Sequence, residues 1–442
     1  MIFLTDLKKA EEYIFSHKDE IINDLFTLCR IPSVQGEPEP GAPFGAEPKN
    51  ALLAAEKLFS AAGCTTALHP AYLISGFGDG EKTIGIFSHA DVVPADGEWK
   101  KTGAFSPVML GDWAVGRGVE DNKSGIVASL WAVRAFSACN VPLKNKLLLF
   151  TGSNEENNMG DMAYFLENEK MPDVSIVPDN DFPVCCGEKG IMHFDAVSQK
   201  KLSDVSELFA GTAYNIVPDF ASAKLAKDSS SVTATGVSRH AAYPDGAVNA
   251  LHLLLEKLIP LCPNDSALFD NASKISSGFR GEALGIASSD EVFGALSCVC
   301  SLGKLTGGRL SLGFDVRYGN TYKGAELESL IRESLSKFGF TLENAEYSDG
   351  VYNGTDSVYA KAMLKAYRRV TGEEDAEGYI SSGGTYARRL RNAFSIGTAK
   401  MSVPLPDDLG SAHCRDEALH IPSFLEGIRI LMHMIKELDD IL

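Results

Sequence analysis

No stretch of this 442-residue chain approaches the ~18 consecutive apolar residues that span a bilayer. Residues 1–34 carry acidic side chains throughout and no uninterrupted apolar run. They read as an amphipathic helix, and a secretory signal is not expected there. Cysteine is sparse: the nine are scattered and form no CxxC pair. Cys185-Cys186 and the Cys-Val-Cys at residues 298–300 are poorly spaced for a zinc ribbon or an ordinary disulfide. Reduced thiols in a cytoplasmic protein are therefore expected. Positive charge is in deficit, with 41 Lys and Arg against 59 Asp and Glu, a net charge of −18. That balance argues against nucleic acid and acidic membrane surfaces as partners. It also makes a buried group of carboxylates awkward unless cations neutralise it. Internal repeats and low-complexity segments are absent too. What remains, 45% apolar and 23% charged residues, is the composition of an ordinary globular protein long enough for two or three domains.

Helical patterns over residues 1–35 and 47–63 are separated by the Pro/Gly-rich loop GEPEPGAPFGAEP. From residue 83 to 184 strand and helix alternate. Strands are predicted at 84–87, 146–151 and 174–177, and helices at 122–138 and 159–168. This alternation argues a mostly parallel sheet with helices on its faces. The character changes after Gly187. Strands IMHFDAVS, SVTATGV, GRLSLGFDVRY and FTLENAEYS interleave with helices AVNALHLLLEKLI and GAELESLIRESLSKF without strict alternation, as in an α+β domain. From residue 349 the βα character returns, with a helix at 357–371, a glycine turn at 381–385, a strand at 393–396 and a last helix from Pro422. The expected architecture is an α/β domain, residues 1–188 and 349–442, with a mostly parallel sheet and helices on both faces. An α+β domain, residues 189–348, interrupts it.

Three predicted strands end in residues that can bind metal. The first ends before His89 and Asp91, the second before Asn154-Glu155-Glu156, the third before Asp179. Asp121 stands just ahead of a helical pattern over residues 124–136. Singly each is weak, because most such residues are structural or solvated. A sheet would instead align them along one edge, where open α/β sheets bind ligands. Imidazole and carboxylate donors suit a two-metal centre of Zn²⁺, Mn²⁺ or Co²⁺, and the lack of nearby thiols disfavours a structural zinc site. A carboxylate two residues from a histidine can brace it. Adjacent glutamates can divide the labour, one ligating while the other takes a proton from water.

The series SHADVVP, GRGVEDNKSG, TGSNEENNMGDMAYF and PDNDFPVCCGEKG resembles the co-catalytic metallopeptidase family of aminoacylases, carboxypeptidase G and carnosinase. Within it the bacterial dipeptidase branch is the nearest, on the GEKG and the aromatic helix after the Glu pair. SSGGTYARRL and AHCRDEALHIP extend the resemblance to the C-terminal part. It implies that His89, Asp121 and Asp179 hold one metal and Asp121, Glu156 and His413 the other, with Asp121 bridging. Asp91 would orient His89, Glu155 would be the general base, and the Asp121-Asn122 peptide would be cis. The dipeptidase branch often has a second Asp where this chain has Asn122. His413, after VPLPDDLGSAH, matches the family position. His420 before Ile-Pro, His433 on the last helix, and His17, His69, His193 and His252 are given packing or surface roles.

In the inserted domain, VTATGVSRHAAYPDGAVNAL resembles the family's lid segment, which makes His240 the oxyanion-stabilising residue. Asn215 and Arg317 resemble substrate-binding lid residues. Arg317 is suited to grip a peptide carboxylate bidentately, and Gly383, Gly384 and Thr385 could offer backbone N–H groups to it. The function implied is that of a metal-dependent exopeptidase hydrolysing dipeptides with a two-metal-activated water and Glu155 as base. Its cofactors would be two divalent ions, zinc first, with manganese or cobalt as alternatives. Its partner would be a small peptide, and the enlarged lid implies a monomer that supplies its own His240. The rival readings are an N-acyl-amino-acid deacylase or carboxypeptidase with the same site, and a non-catalytic binding protein. The filled ligand positions argue against the last.

Overall fold

The computed structural model describes residues 2–400 and 403–442. The chain divides into two compact units. One comprises Met1–Gly187, Tyr352–Tyr379 and Thr385–Leu442, the other Glu188–Val351 and Ile380–Gly384.

The heart of the first unit is four parallel strands. Thr83–His89 lies between Lys146–Gly152 and Val174–Asn180, and Ala393–Gly397 follows on the outer side of Val174–Asn180. The hairpin Thr65–Leu68 and Tyr72–Phe77 extends the sheet antiparallel past Lys146–Gly152. The central strands read as unbroken apolar runs because both faces are covered. Ile84, Ile86, Leu147 and Leu149 face a core that includes Ile126 and Leu130 of the helix Lys123–Ala138, and Phe424 and Ile428 of the helix Ile421–Ile441. Phe87, Leu148 and Phe150 face the other way, against Phe165 of the helix Gly160–Asn168. Phe165 stands edge-on to both Phe87 and Phe150, at 5.3 and 5.2 Å. Truncating it to alanine removes both contacts and costs roughly 3–5 kcal/mol. Helices on both faces of the parallel strands are thus as expected.

The N-terminal pattern departs from expectation. It forms two helices, Ile2–Ser16 and Lys18–Cys29, rather than one, and residues 30–35 are not helical; Met1 lies outside the described residues. The break is His17, at φ −112° and ψ 28°, whose ring Nδ1 turns back to within 2.8 Å of the Tyr13 carbonyl.

The second unit is a seven-stranded antiparallel sheet. Its order is Ser231–Thr235, Phe220–Leu225, Val205–Ala210, Ser297–Thr306, Arg309–Tyr318, Gly190–Lys201 and Phe340–Ser348. Apolar residues of the helices Ala250–Leu261, Ser266–Ser276 and Gly324–Lys337 share one core with Phe194, Leu312 and Phe314 of the strands. The segment Ile380–Gly384, read from sequence as part of the α/β domain, is tied into this unit. Lys189 N–H donates to the Ser381 carbonyl at 2.8 Å and Arg317 Nη1 to the Ser382 carbonyl at 3.0 Å. Among the described residues no helix is long and apolar enough to cross a membrane.

Candidate metal centre

His89 and Asp179 sit at the C-terminal ends of neighbouring parallel strands, as the last and next-to-last residues of Thr83–His89 and Val174–Asn180. The ladder therefore reaches further than the sequence reading, which put both residues beyond it. Asp121 arrives from the turn ahead of Lys123–Ala138, and the Asp121-Asn122 peptide is cis, as the resemblance implied. Asn122 ties the strand ends together. Its Oδ1 receives the His89 N–H at 3.4 Å while its Nδ2 donates to the Pro178 carbonyl at 2.5 Å. An aspartate at 122 could accept the first bond but could not donate the second. Gly125 completes the joint: a Cβ there would stand 2.5 Å from Asn122 Oδ1 and 2.9 Å from the Pro178 carbonyl.

Two donor groups share one carboxylate. His89, Asp121 and Asp179 each offer a ligand atom to one point, and Asp121, Glu156 and His413 to a second. His89 Nε2 is 3.0 Å from Asp121 Oδ1 and 3.6 Å from Asp179 Oδ1. His413 Nε2 is 3.0 Å from Asp121 Oδ2 and 3.2 Å from Glu156 Oε2. Asp121 thus turns one oxygen toward each group.

Asp91 braces this arrangement differently from expectation. His89 Nδ1 lies 2.9 Å from the Asp91 backbone carbonyl and 3.5 Å from its carboxylate. A proton on Nδ1 is held by that carbonyl, which leaves Nε2 as the free donor for a cation. The Asp91 carboxylate instead accepts the backbone N–H groups of Glu155 and Glu156, both at 3.1 Å.

The electrostatics are those of too many carboxylates for two imidazoles. Burial pushes Glu155 well above the usual carboxylate range, and the negative charge of Asp179 adds to it. Asp179 is pushed up to about 7, by burial and then by Asp121, with His89 opposing. Burial also raises Glu156. Asp121 goes the other way: burial is outweighed by hydrogen bonds from His413 and His89, which hold it well below the usual range. Its bond, and that of Glu156, push His413 up to about 11. Glu155 Oε1 and Glu156 Oε1 are buried without a hydrogen-bond partner. Convergent carboxylate oxygens and imidazole nitrogens are the donor set that a pair of divalent cations satisfies.

In the second unit Asn215 and His240 are neighbours: the Ala241 N–H donates to the Asn215 carbonyl at 2.8 Å, and His240 Nδ1 accepts the Ala242 N–H at 3.1 Å. Arg317 corrects the sequence reading. Its Nε and Nη2 are already bonded bidentately to Asp315, at 2.8 and 2.7 Å, so that edge is not free to grip a substrate carboxylate. The Gly383 N–H donates to Ser381 Oγ at 3.0 Å, and Gly384 follows it in the same turn. Thr385, in the first unit, caps a short helix by accepting the Ala387 N–H. Two histidines set aside in the sequence have partners of their own. His420 lies 2.8 Å from Ser423 Oγ and His433 2.6 Å from Glu11.

Sequence reasoning missed the carboxylates beneath the site. Buried Glu417 accepts the N–H groups of Gly118, Glu120 and Asp121 on one oxygen and Arg117 Nη1 on the other, at 2.6 Å. Buried Asp161 accepts the N–H groups of Ser153 and Asn154 and the Tyr386 hydroxyl. All lie inside the quoted motifs; only their pairing was hidden.

Comparison with known proteins identifies the family and agrees with the fold. The chain is 29% identical over 434 residues to a Staphylococcus epidermidis protein named "Putative dipeptidase", covering 88% of this chain and 91% of that one. Human carnosine dipeptidase 1 superposes with a TM-score of 0.62 at 17% identity, covering 98% of this chain and 99% of that one. A metallo-carboxypeptidase of Sulfolobus solfataricus gives 0.61 at 18% identity, covering 96% of this chain and 100% of that one. At these identities the structures speak for the fold. Residues 85–437 match the model described as Peptidase family M20/M25/M40, and the chain belongs to that family of peptide hydrolases.

Proposed function

We propose that this chain is a metal-dependent dipeptidase. The observation that carries the reading is the pair of donor groups sharing Asp121, with Glu155 buried among them and one of its oxygens unpartnered. The relatives named as dipeptidases support the substrate class. His89, Asp121 and Asp179 would hold one cation, and Asp121, Glu156 and His413 the other, with zinc the first candidate and manganese or cobalt next. When bound, such a pair lowers the pKa of water and polarises the scissile carbonyl. Glu155 takes the proton from the attacking water on its carboxylate and returns it to the leaving amine. Burial, which favours its neutral form, suits it to hold that proton between the two steps. Asp91 fixes the backbone from which Glu155 projects.

The second unit acts as the lid. His240 stabilises the oxyanion, and Asn215, Gly383, Gly384 and Thr385 hold the peptide's carboxylate end. The scattered cysteines, with no CxxC pair among them, suit a reducing, cytoplasmic setting. A panel of dipeptides with Zn²⁺, Mn²⁺ and Co²⁺ tests the reading. Hydrolysis of free dipeptides and refusal of N-acetylated ones supports it. Preference for N-acylated amino acids would assign the site to a deacylase instead.

A further inference from the structure

We propose that Asp161 and Tyr386 form a clamp that positions Glu155. The inference rests on the reading of Glu155 as the base. Four successive backbone N–H groups, from Ser153 to Glu156, end on just two buried carboxylates. Asp161 Oδ2 accepts those of Ser153 and Asn154, at 2.7 and 2.9 Å. Asp91 accepts those of Glu155 and Glu156, both at 3.1 Å. Asp91 was expected at the site; Asp161 was not, and its hydrogen bonds run to the backbone and to Tyr386.

The clamp has little slack. The Tyr386 hydroxyl donates to Asp161 Oδ2 at 2.5 Å, and both residues are fully buried. Gly152, where the strand hands over to the turn, admits no other residue. A Cβ there would stand 1.9 Å from the Tyr386 hydroxyl and 2.2 Å from Asp161 Oδ2. The Tyr386 ring is set edge-on against Phe150 of the same strand, at 5.4 Å, so the hydroxyl is aimed by the core. Asn154 adds a local tie, accepting the Gly160 N–H on Oδ1 at 3.1 Å. A general base works only when held within about half an ångström of its productive position. Here the backbone on the N-terminal side of Glu155 is fixed by Asp161, and Asp161 is fixed by Tyr386.

Tyr386→Phe removes the hydroxyl and keeps the ring. On the metal-loaded enzyme it should lower kcat about tenfold, the scale of one hydrogen bond to a charged group. KM and metal content should stay within about twofold of wild type. Amide hydrogen exchange at Ser153 and Asn154 should quicken while that of Leu147 to Phe150 does not. In a Glu155→Gln background the same change should cost less than about twofold in the residual rate, because residues acting as one unit are not additive. An equal tenfold loss in both backgrounds, an unchanged kcat, or loss of metal would overturn the clamp. A Glu155→Gln chain that keeps more than about a tenth of the wild-type rate would instead remove the base reading itself. Should Tyr386→Phe fail to fold, Asp161→Asn, which retains an acceptor oxygen, should show the same split and outperform Asp161→Ala. An Asn variant no better than Ala would also overturn it.

Discussion

The Glu417 carboxylate accepts the backbone N–H of Asp121 at 3.2 Å across 296 residues of sequence. The same oxygen takes the N–H groups of Gly118 and Glu120, and the other takes Arg117, which is itself buried. The turn that delivers Asp121 is thus hung on one side chain from the C-terminal part of the chain. Glu417→Ala would leave a buried guanidinium unpaired and three N–H groups unsatisfied. A loss of roughly 3–5 kcal/mol is expected, measured by urea unfolding of the metal-free protein. Glu417→Gln, which keeps an acceptor, should lose less. A loss below about 1 kcal/mol for the alanine, the range of an exposed pair, would contradict this role.

Asp121 offers one oxygen to each donor group, His413 a nitrogen to only one. Asp121→Ala should therefore abolish binding of both cations, whereas His413→Ala should weaken one site and spare the other. Elemental analysis after equilibration with limiting Zn²⁺ distinguishes them. Two ions retained by the Asp121 variant would refute the shared carboxylate.

Proton competition follows from the same geometry. In the metal-free protein His413, pushed up to about 11 by Asp121 and Glu156, carries its proton at neutral pH. A cation needs the neutral imidazole, so binding must expel that proton. Metal affinity should rise with pH across the neutral range, and adding Zn²⁺ to the metal-free protein in weak buffer should acidify it. A pH-independent affinity with no proton release would contradict the assignment of His413.

What was legible in the sequence follows from where the physics is local. The run Ile84 to Phe87 reads as a strand because both its faces are buried, and the Lys123–Ala138 helix reads from its own pattern. The strands Val205–Ala210 and Phe220–Leu225 did not read, since alanine and serine dilute their alternation and Phe209 and Phe220 face outward. The break at His17 needed its ring contact with Tyr13, and the N-terminal pattern otherwise continues through it. At the site, every proposed ligand lay in a readable motif, but the duties of the carboxylates did not. Asp91 spends its carboxylate on the Glu155 and Glu156 amides, and Arg317 spends its fork on Asp315, because folding brought those partners within reach. Spacing along the chain carries no information of that kind.

The lid assignment makes a prediction about assembly. If His240 serves the site of its own chain, mixing inactive Glu155→Gln chains with His240→Ala chains should restore no activity. Recovery toward a quarter or more of the wild-type rate would mean that the histidine crosses between chains. Dipeptides should also be hydrolysed far faster than pentapeptides, and comparable rates would rule out an enclosed site.

Replacement of Glu155 by glutamine bears most directly on the central claim, a two-cation site served by one carboxylate base. The substitution keeps the side chain's shape and removes its ability to take a proton. Metal content and dipeptide turnover of Glu155→Gln, measured on the same preparation, should show both cations retained and a rate lower by ~10²–10⁴-fold. A variant that keeps more than about a tenth of the wild-type rate with both cations bound would contradict the account.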